Sequence, residues 1–440
     1  MIPITVADGA RERALFAQLK ERSGEVDARV TAAVQAILQD VKLRGDAAVR
    51  EYTQRFDGVA PDCVEVTRAE IDAAAGQCAP EFVAALIAAS ENIWEFHRQQ
   101  RQNSWFTTKE NGVMLGQRVR GLKRVGVYVP GGTAAYPSSV LMNVIPAKVA
   151  GVQEVVMVTP PQSGGANPNI LAAAQIAGVD RVFLVGGAQA CAALAYGTET
   201  IPRVDKITGP GNIFVATAKK LLYGQVDIDM IAGPSEILVI ADESANPRFL
   251  AADLLSQAEH DRLASAILLT TSQRIAQAVR QELELQLNRL PRKEIAAEAL
   301  RNYGAILVCE SMTQMLEFAN DLAPEHLELC VEDAMRHLGT IENAGSVFLG
   351  HFSPESLGDY YAGPNHVLPT GGTTRFFSPL SVDDFIKKLQ FISYTESALH
   401  LAGDEIVTLA RTEGFDAHAY AVRTRFEENE TEVRHGVSDQ

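Results

Sequence analysis

From Arg124 onward the chain repeats one pattern: a short apolar run, a glycine- or proline-rich turn, then a helical stretch. Val125-Gly126-Val127-Tyr128-Val129 reads as a buried strand, followed by Pro130-Gly131-Gly132 and a helix through Ala150. Residues 154–159 are the next strand, with a Gly/Pro-rich loop and a helix to Ile176. Residues 181–185 follow, with Gly186-Gly187-Ala188-Gln189 opening another helix, then residues 204–208, Gly209-Pro210-Gly211-Asn212 and a helix to Leu222. Strands that are apolar throughout and alternate with helices belong to a mostly parallel sheet covered on both faces. The pattern restarts at 236–240, with further strands predicted at 264–270, 304–308, 326–330 and 346–349.

The chain therefore reads as α/β, with two parallel-sheet, nucleotide-binding-like (incomplete Rossmann-type) domains and a small helical C-terminal tail. Residues 1–25 form an N-terminal arm with a short helix around 10–20. Val26, Val30, Val34, Ile37, Leu38 and Val41 then lie on one helical stripe, stopped by Gly45. A second helix carries Ala47, Ala48 and Tyr52, and a third runs from about 79 to 102. Residues 112–129 alternate between glycines and suggest paired strands. Because 26–123 has no parallel set of its own, it is expected to fold with 236–380 into one larger domain, with 124–235 as an insertion. After Pro379, helices are predicted at 382–395, at 397–411 and from Asp416, forming a dimerisation tail over 381–440. Leu399, Ala402, Ile406 and Leu409 give the second of these an apolar face.

A formal charge of −16 argues against a nucleic-acid surface, which needs clustered Lys and Arg. No apolar run approaches the roughly 20 residues that span a bilayer, and the first residues lack a secretory signal. Cys63, Cys78, Cys191, Cys309 and Cys330 are odd in number and form no CxxC pair, as reduced thiols in a cytoplasmic protein would be.

Chemistry is expected at Leu322-Ala323-Pro324-Glu325-His326-Leu327-Glu328-Leu329. Pro324 ends the preceding helix, and the run from His326 to Cys330 alternates like a strand. Strand geometry would point Glu325 and His326 in opposite directions, flanking a substrate with two proton-transfer groups. Three Gly-Pro turns end in polar residues: Gly209-Pro210-Gly211-Asn212, Gly233-Pro234-Ser235-Glu236 and Gly363-Pro364-Asn365-His366. Each can bring main chain close to a ligand, although plain turn chemistry explains any one of them. No glycine loop matches GxGxxG, so only the general placement of ligands at the carboxyl ends of parallel strands points to these loops. Gln257 and His260 are three apart at a helix end and share a face with Asp253. Asp359 in Gly358-Asp359-Tyr360-Tyr361, with Glu413 and His418 in the tail, adds carboxylates and imidazoles that could join a zinc site.

In combination these segments closely resemble the histidinol dehydrogenase family. The matching stretches are VGVYVPGG, GGAQA, KITGPGN, DMIAGPSEILVIAD, LLSQAEHD, APEHLEL, GSVFLG, GDYYAGPNHVLPTGGTTRFFSPLSVDDF and EGFDAHAYAVRTR, in order from residue 125 to 425. The resemblance implies an NAD-dependent enzyme of histidine biosynthesis that oxidises L-histidinol to a bound aldehyde and then to L-histidine, each step passing one hydride to NAD. It implies one Zn2+ per subunit on Gln257, His260, Asp359 and His418. It implies Glu325 and His326 as the catalytic pair, Ser235, His366 and Glu413 as further substrate contacts, and Tyr128, Gln189 and Asn212 as cofactor contacts. Gln257, His260, His326, Asp359 and His418 would touch substrate as well. The family is homodimeric, so Glu413 and His418 are expected to complete the partner's site. His97, His337, His351, His400 and His435 are left as structural or surface residues, with His97 at the surface or a boundary. A zinc hydrolase, with Glu325 activating water, and a non-enzymatic small-molecule binder are the rival readings. A hydrolase would need neither NAD nor the GGAQA and GPGN loops, and many binders of that kind are exported.

Overall fold

Two sheets of six strands carry most of the chain, and they share one strand order. The computed structural model describes residues 2–22, 28–59, 61, 63–131 and 136–427, so Val26, Gly132 and His435 lie outside it. Strands are numbered in chain order. The first sheet is β2 (Glu65–Val66), β7 (Arg181–Leu184), β6 (Glu154–Thr159), β5 (Arg124–Tyr128), β8 (Lys206–Thr208) and β9 (Asp227–Ile228). The second is β1 (Ile4–Val6), β12 (Gly304–Val308), β11 (Ser265–Thr270), β10 (Glu236–Ala241), β13 (His326–Cys330) and β14 (Ser346–Leu349). In each, five consecutive strands are wound 3-2-1-4-5 and run parallel. This is the doubly wound order short of its sixth strand. The extra strand beside the third is antiparallel β2 in one sheet and parallel β1 in the other.

The uninterrupted apolar runs follow from burial on both faces. Val155 and Met157 point to one core, and Val156 and Val158 to the other. In the second sheet Ile237 and Val239 face one core while Leu238 and Ile240 face its opposite. Each such side chain contributes about 1.5–3 kcal/mol through burial.

Residues 28–98 pack on the first sheet, not with 236–380 as the sequence suggested. The stripe Val34, Ile37, Leu38 and Val41, on helix Ala28–Arg44, shares a core with Tyr128, Val156 and Phe183. Leu86, Ala89 and Ile93, on helix Pro80–Arg98, join Val125 and Met157. A two-residue strand decides the matter at the edge: β2 pairs with β7, and Arg181 holds Glu65 with two hydrogen bonds of 2.7 and 2.8 Å. So short a strand leaves no periodic signal. The N-terminal arm is not separate either. Its β1 lies along β12, Phe16 and Leu19 of helix Arg11–Arg22 enter the second sheet's core, and sheet membership rather than local sequence places them.

Contacts divide the chain into two units, residues 1–101 with 121–386 and residues 102–120 with 387–440. Both six-stranded sheets belong to the first. The second holds a three-stranded sheet, β15 (Ile386–Ser393), β4 (Met114–Gly121) and β3 (Trp105–Thr108), with β3 antiparallel to β4. The predicted strand pairing over 112–129 is therefore split, since β4 joins this sheet and β5 the first. The helix expected at 382–395 is likewise corrected to one 3-10 turn, Val382–Phe385, followed by β15. Ser381 and Asp384 cap that turn reciprocally, which gives the segment a helical start. Beyond it, Gly116 on β4 lacks the Cβ that would overlap the Phe391 ring, so β15 can lie flat along β4. Helices Glu396–Thr412 and Asp416–Arg423 close the unit, and Leu409 of the predicted apolar face stays 66% exposed. Among the described residues no single helix is long and apolar enough to cross a membrane.

Candidate active site

The helix Met312–Leu322 stops at Ala323, which has a left-handed φ of 52° and is the one non-glycine residue with positive φ among those described. Pro324 cannot resume the helix, and the chain turns into β13. Gly345 N–H donates to the Pro324 carbonyl at 3.0 Å and Ser346 N–H to that of Glu325 at 2.9 Å, aligning β14 alongside. A Cβ on Gly345 would lie 2.5 Å from the Glu325 carbonyl oxygen, so only glycine permits this approach.

Glu325 and His326 do not point apart as predicted, because Glu325 precedes the strand and escapes its alternation. Both reach the main chain of Glu236, the first residue of β10. Glu236 N–H donates to Glu325 Oε2 at 2.9 Å, and His326 Nδ1 donates to the Glu236 carbonyl at 3.0 Å. The two side chains stand 3.7 Å apart, Nδ1 to Oε2, and both are buried. Since a carbonyl only accepts, Nδ1 carries the proton and Nε2 keeps its lone pair. Burial holds His326 neutral, down to about 4, with His260 and His366 adding to the effect. Burial also raises the Glu325 carboxyl well above the usual range, reinforced by Glu236, Asp359 and Glu355 and opposed by the Glu236 N–H. His366 likewise falls to about 4 through burial, with Nδ1 donating to the Asp359 carbonyl at 3.0 Å.

Beside this pair, helix Pro247–Ala258 delivers Gln257 in its last turn and His260 just beyond its end. Gln257 is fully buried, and neither atom of its amide has a hydrogen-bond partner among the described residues. Helix Glu355–Tyr360 places Glu355 and Asp359 four apart on one face. His260, Glu355 and Asp359 offer ligand atoms all within 4.8 Å of one another. Burial raises the Glu355 carboxyl to about 8, with Asp359 adding, and the Asp359 carboxyl to about 6. An imidazole, carboxylates and an unpaired amide, set at the negative end of a helix, make a donor set that suits zinc. Asp253, predicted on the same stripe, instead gathers with Glu328 and Cys330.

The opposite wall comes from the carboxyl ends of the first sheet. Gly209 has a φ of 111°, and a Cβ there would overlap the Tyr128 carbonyl. Lys219 Nζ donates to the Gly209 carbonyl at 3.0 Å and pairs with Asp229, whose other oxygen takes the Gly209 N–H at 2.8 Å. Asn212 caps helix Ile213–Leu222 by accepting from the Phe214 and Val215 N–H groups. One cavity of about 450 Å³ is lined by Asn212 on this side and by Ser235, Gln257, His260, Glu325, His326, Asp359 and His366 on the other.

Two of the predicted cofactor residues do not line it. Tyr128 is buried, with its hydroxyl accepting from Gly187 N–H at 3.0 Å, and Gln189 is buried with its amide unpaired among the described residues. Glu413 and His418 lie in the second unit, both exposed, at the end of helix Glu396–Thr412 and on helix Asp416–Arg423. His97 is not at the surface. It is fully buried, with Nδ1 2.7 Å from Gln100 Oε1 and Nε2 3.4 Å from the Asn365 amide. Sequence reasoning missed Glu355, whose spacing of four from Asp359 is a usable signal, and the Lys219–Asp229 pair, whose separation of ten positions offers none.

The family profile described as Histidinol dehydrogenase matches residues 20–426. The histidinol dehydrogenase of Clostridium acetobutylicum is 58% identical over 412 residues, 93% of this chain and 96% of that one. That of Listeria innocua is 55% identical over 420 residues, 96% and 98% of the two chains. The crystal structure of histidinol dehydrogenase from Elizabethkingia anophelis superposes with a TM-score of 0.90 at 40% identity, covering 97% of this chain and 98% of that one.

Proposed function

Since the chain belongs to the histidinol dehydrogenase family of NAD-dependent oxidoreductases, we propose that it oxidises L-histidinol through L-histidinaldehyde to L-histidine. Two NAD are reduced and one water is consumed per substrate. The observation that carries this reading is the clamp at Glu236, which presents a neutral imidazole and a basic carboxylate to one cavity.

His326 Nε2, its tautomer set by the Glu236 carbonyl, accepts the alcohol proton as hydride leaves carbon. Glu325, raised well above the usual carboxylate range, is basic enough once ionised to take a proton from the water that hydrates the aldehyde. The second hydride then departs from the gem-diol. Ser235, His366 and Glu413 are assigned to substrate. Gln257, His260, Asp359 and His418 of the partner subunit would hold one zinc ion per subunit, which when bound supplies Lewis acidity and an anchor for the substrate imidazole and amine. Tyr128, Gln189 and Asn212 are assigned to NAD, which supplies the hydride acceptor, and Tyr128 also holds the Gly187 N–H.

A homodimer with a shared site is supported by the apolar side chains the tail leaves exposed, Leu401, Leu409, Phe415 and Tyr420. Cytoplasmic residence is supported by five free cysteines. The test is NADH formation from L-histidinol with and without a chelator, counting NADH per substrate consumed. Two per substrate, lost on chelation, is the expected result. One per substrate would confine the enzyme to the alcohol step, and none would remove the reading. A zinc hydrolase would turn over without NAD.

A further inference from the structure

Resting on the zinc reading above, a question of hydrogen-bond supply arises at Gln257. A glutamine ligates a metal through its carbonyl oxygen, which leaves an NH2 group with two donors to satisfy. Gln257 is fully buried, so bulk water does not reach it, and its Nε2 has no partner among the described residues. A buried donor left in that state costs about 1–3 kcal/mol. Of the residues lining the same cavity, Glu355 is the one carboxylate with a buried oxygen, Oε1, that has no N–H or hydroxyl donor among the described residues, its contact with Asp359 being carboxyl to carboxyl. Its other oxygen is fixed by Ser256 Oγ at 3.0 Å, and Ser256 is the chain neighbour of Gln257. The carboxylate is therefore tethered to the same helix turn that carries the amide.

We propose that Glu355 is a positioning residue for the cation site, its Oε1 accepting an N–H of Gln257 and thereby turning the Gln257 carbonyl oxygen toward the ion. A buried partner that orients a ligand in this way is worth about 10–100-fold in metal affinity. Three variants separate reach from charge. Glu355→Gln keeps an oxygen at the same reach and loses the charge, Glu355→Asp keeps the charge and withdraws the oxygen, and Glu355→Leu loses both.

The experiment titrates zinc into the purified, metal-stripped full chain against a chromophoric chelator, and records the visible spectrum of each protein loaded with cobalt(II). Glu355→Gln is expected to bind within a few-fold of wild type with an unchanged cobalt spectrum. Glu355→Asp should weaken about tenfold and Glu355→Leu about 10–100-fold, both with altered spectra. The Gln and Asp variants decide the matter even if the leucine variant does not fold. Wild-type affinity in Asp with weak binding in Gln, or wild-type affinity throughout, would overturn the proposal. Failure of the wild-type chain itself to take zinc would instead remove the zinc reading on which it rests.

Discussion

The two six-stranded sheets are wound alike, yet they offer opposite ends to the same cavity. The first sheet uses its carboxyl ends: Pro130 follows β5 and Gly209-Pro210-Gly211-Asn212 follows β8, at the point where strand order reverses. The second uses its amino ends: Ser235 precedes β10, and Glu325 and His326 stand where β13 begins. The difference is electrostatic. Carboxyl ends of parallel strands meet the N-termini of the following helices, which favour anions such as a dinucleotide's phosphates. Amino ends meet helix C-termini, which favour cations, and helix Pro247–Ala258 brings Gln257 there. A strand's first residue also has main-chain groups to spare, and Glu236 uses both of its own to hold Glu325 and His326. One winding thus supplies a phosphate-seeking edge and a cation-seeking edge.

That contrast breaks if the amino-end pair is dispensable. His326→Asn is expected to lower kcat about 10²–10⁴-fold with zinc content unchanged, checked by steady-state NADH formation and elemental analysis. Near-normal turnover would move the proton chemistry elsewhere. Next in size is complementation across subunits. His260→Asn and His418→Asn chains, each inactive alone, should regain about a quarter of wild-type activity when mixed at random, because half the dimers carry one intact site of two. Mixtures that stay dead would confine each site to one chain.

The carboxyl-end edge should respond differently. Asn212→Ala removes a helix cap worth about 1 kcal/mol and is expected to raise KM for NAD severalfold with kcat little changed. A loss confined to kcat would erase the division of labour. The smallest effect is on stability. Glu355, at about 8, and Asp359, at about 6, hold protons in the folded chain that the unfolded chain gives up near 4 to 4.5. Folding then takes up protons between those limits, so these two carboxyls lower stability as pH rises. Below about 6.5 the lowered His326 and His366 act in the opposite sense, so the net loss of stability in metal-free protein is expected as pH rises from about 6.5 to 8, through the Glu355 range. Thermal melts with chelator should show Tm falling across that window and flattening with zinc. A metal-free Tm that rises there would contradict the buried carboxylate pair.

The strands β6, β12, β13 and β14 were readable to the residue, because their apolar or alternating runs end sharply at turn residues. What they pair with was not, since a two-residue strand such as β2 and a three-residue one such as β1 carry no period. β15 was hidden by the Ser381–Asp384 cap, a local helix signal overruled by the free edge of β4. Within the candidate site, Gln257, His260, Glu325, His326 and Asp359 were found largely through the resemblance of whole segments. Their convergence depends on how β10, β13 and two helices meet, which no spacing encodes. The bond between His326 and Glu236 spans ninety positions and was invisible for the same reason.

The pairing of Ile4 with Ile306 has a consequence for how the molecule is made. β2 and β5 through β9 are all translated before β10, whereas β1 must wait for Gly304–Val308. Contacts so distant in sequence form slowly, and domains synthesised first fold first. The strands of the first sheet are thus all made before those of the second, although Leu380, Val382 and Phe385 complete its core only at the end.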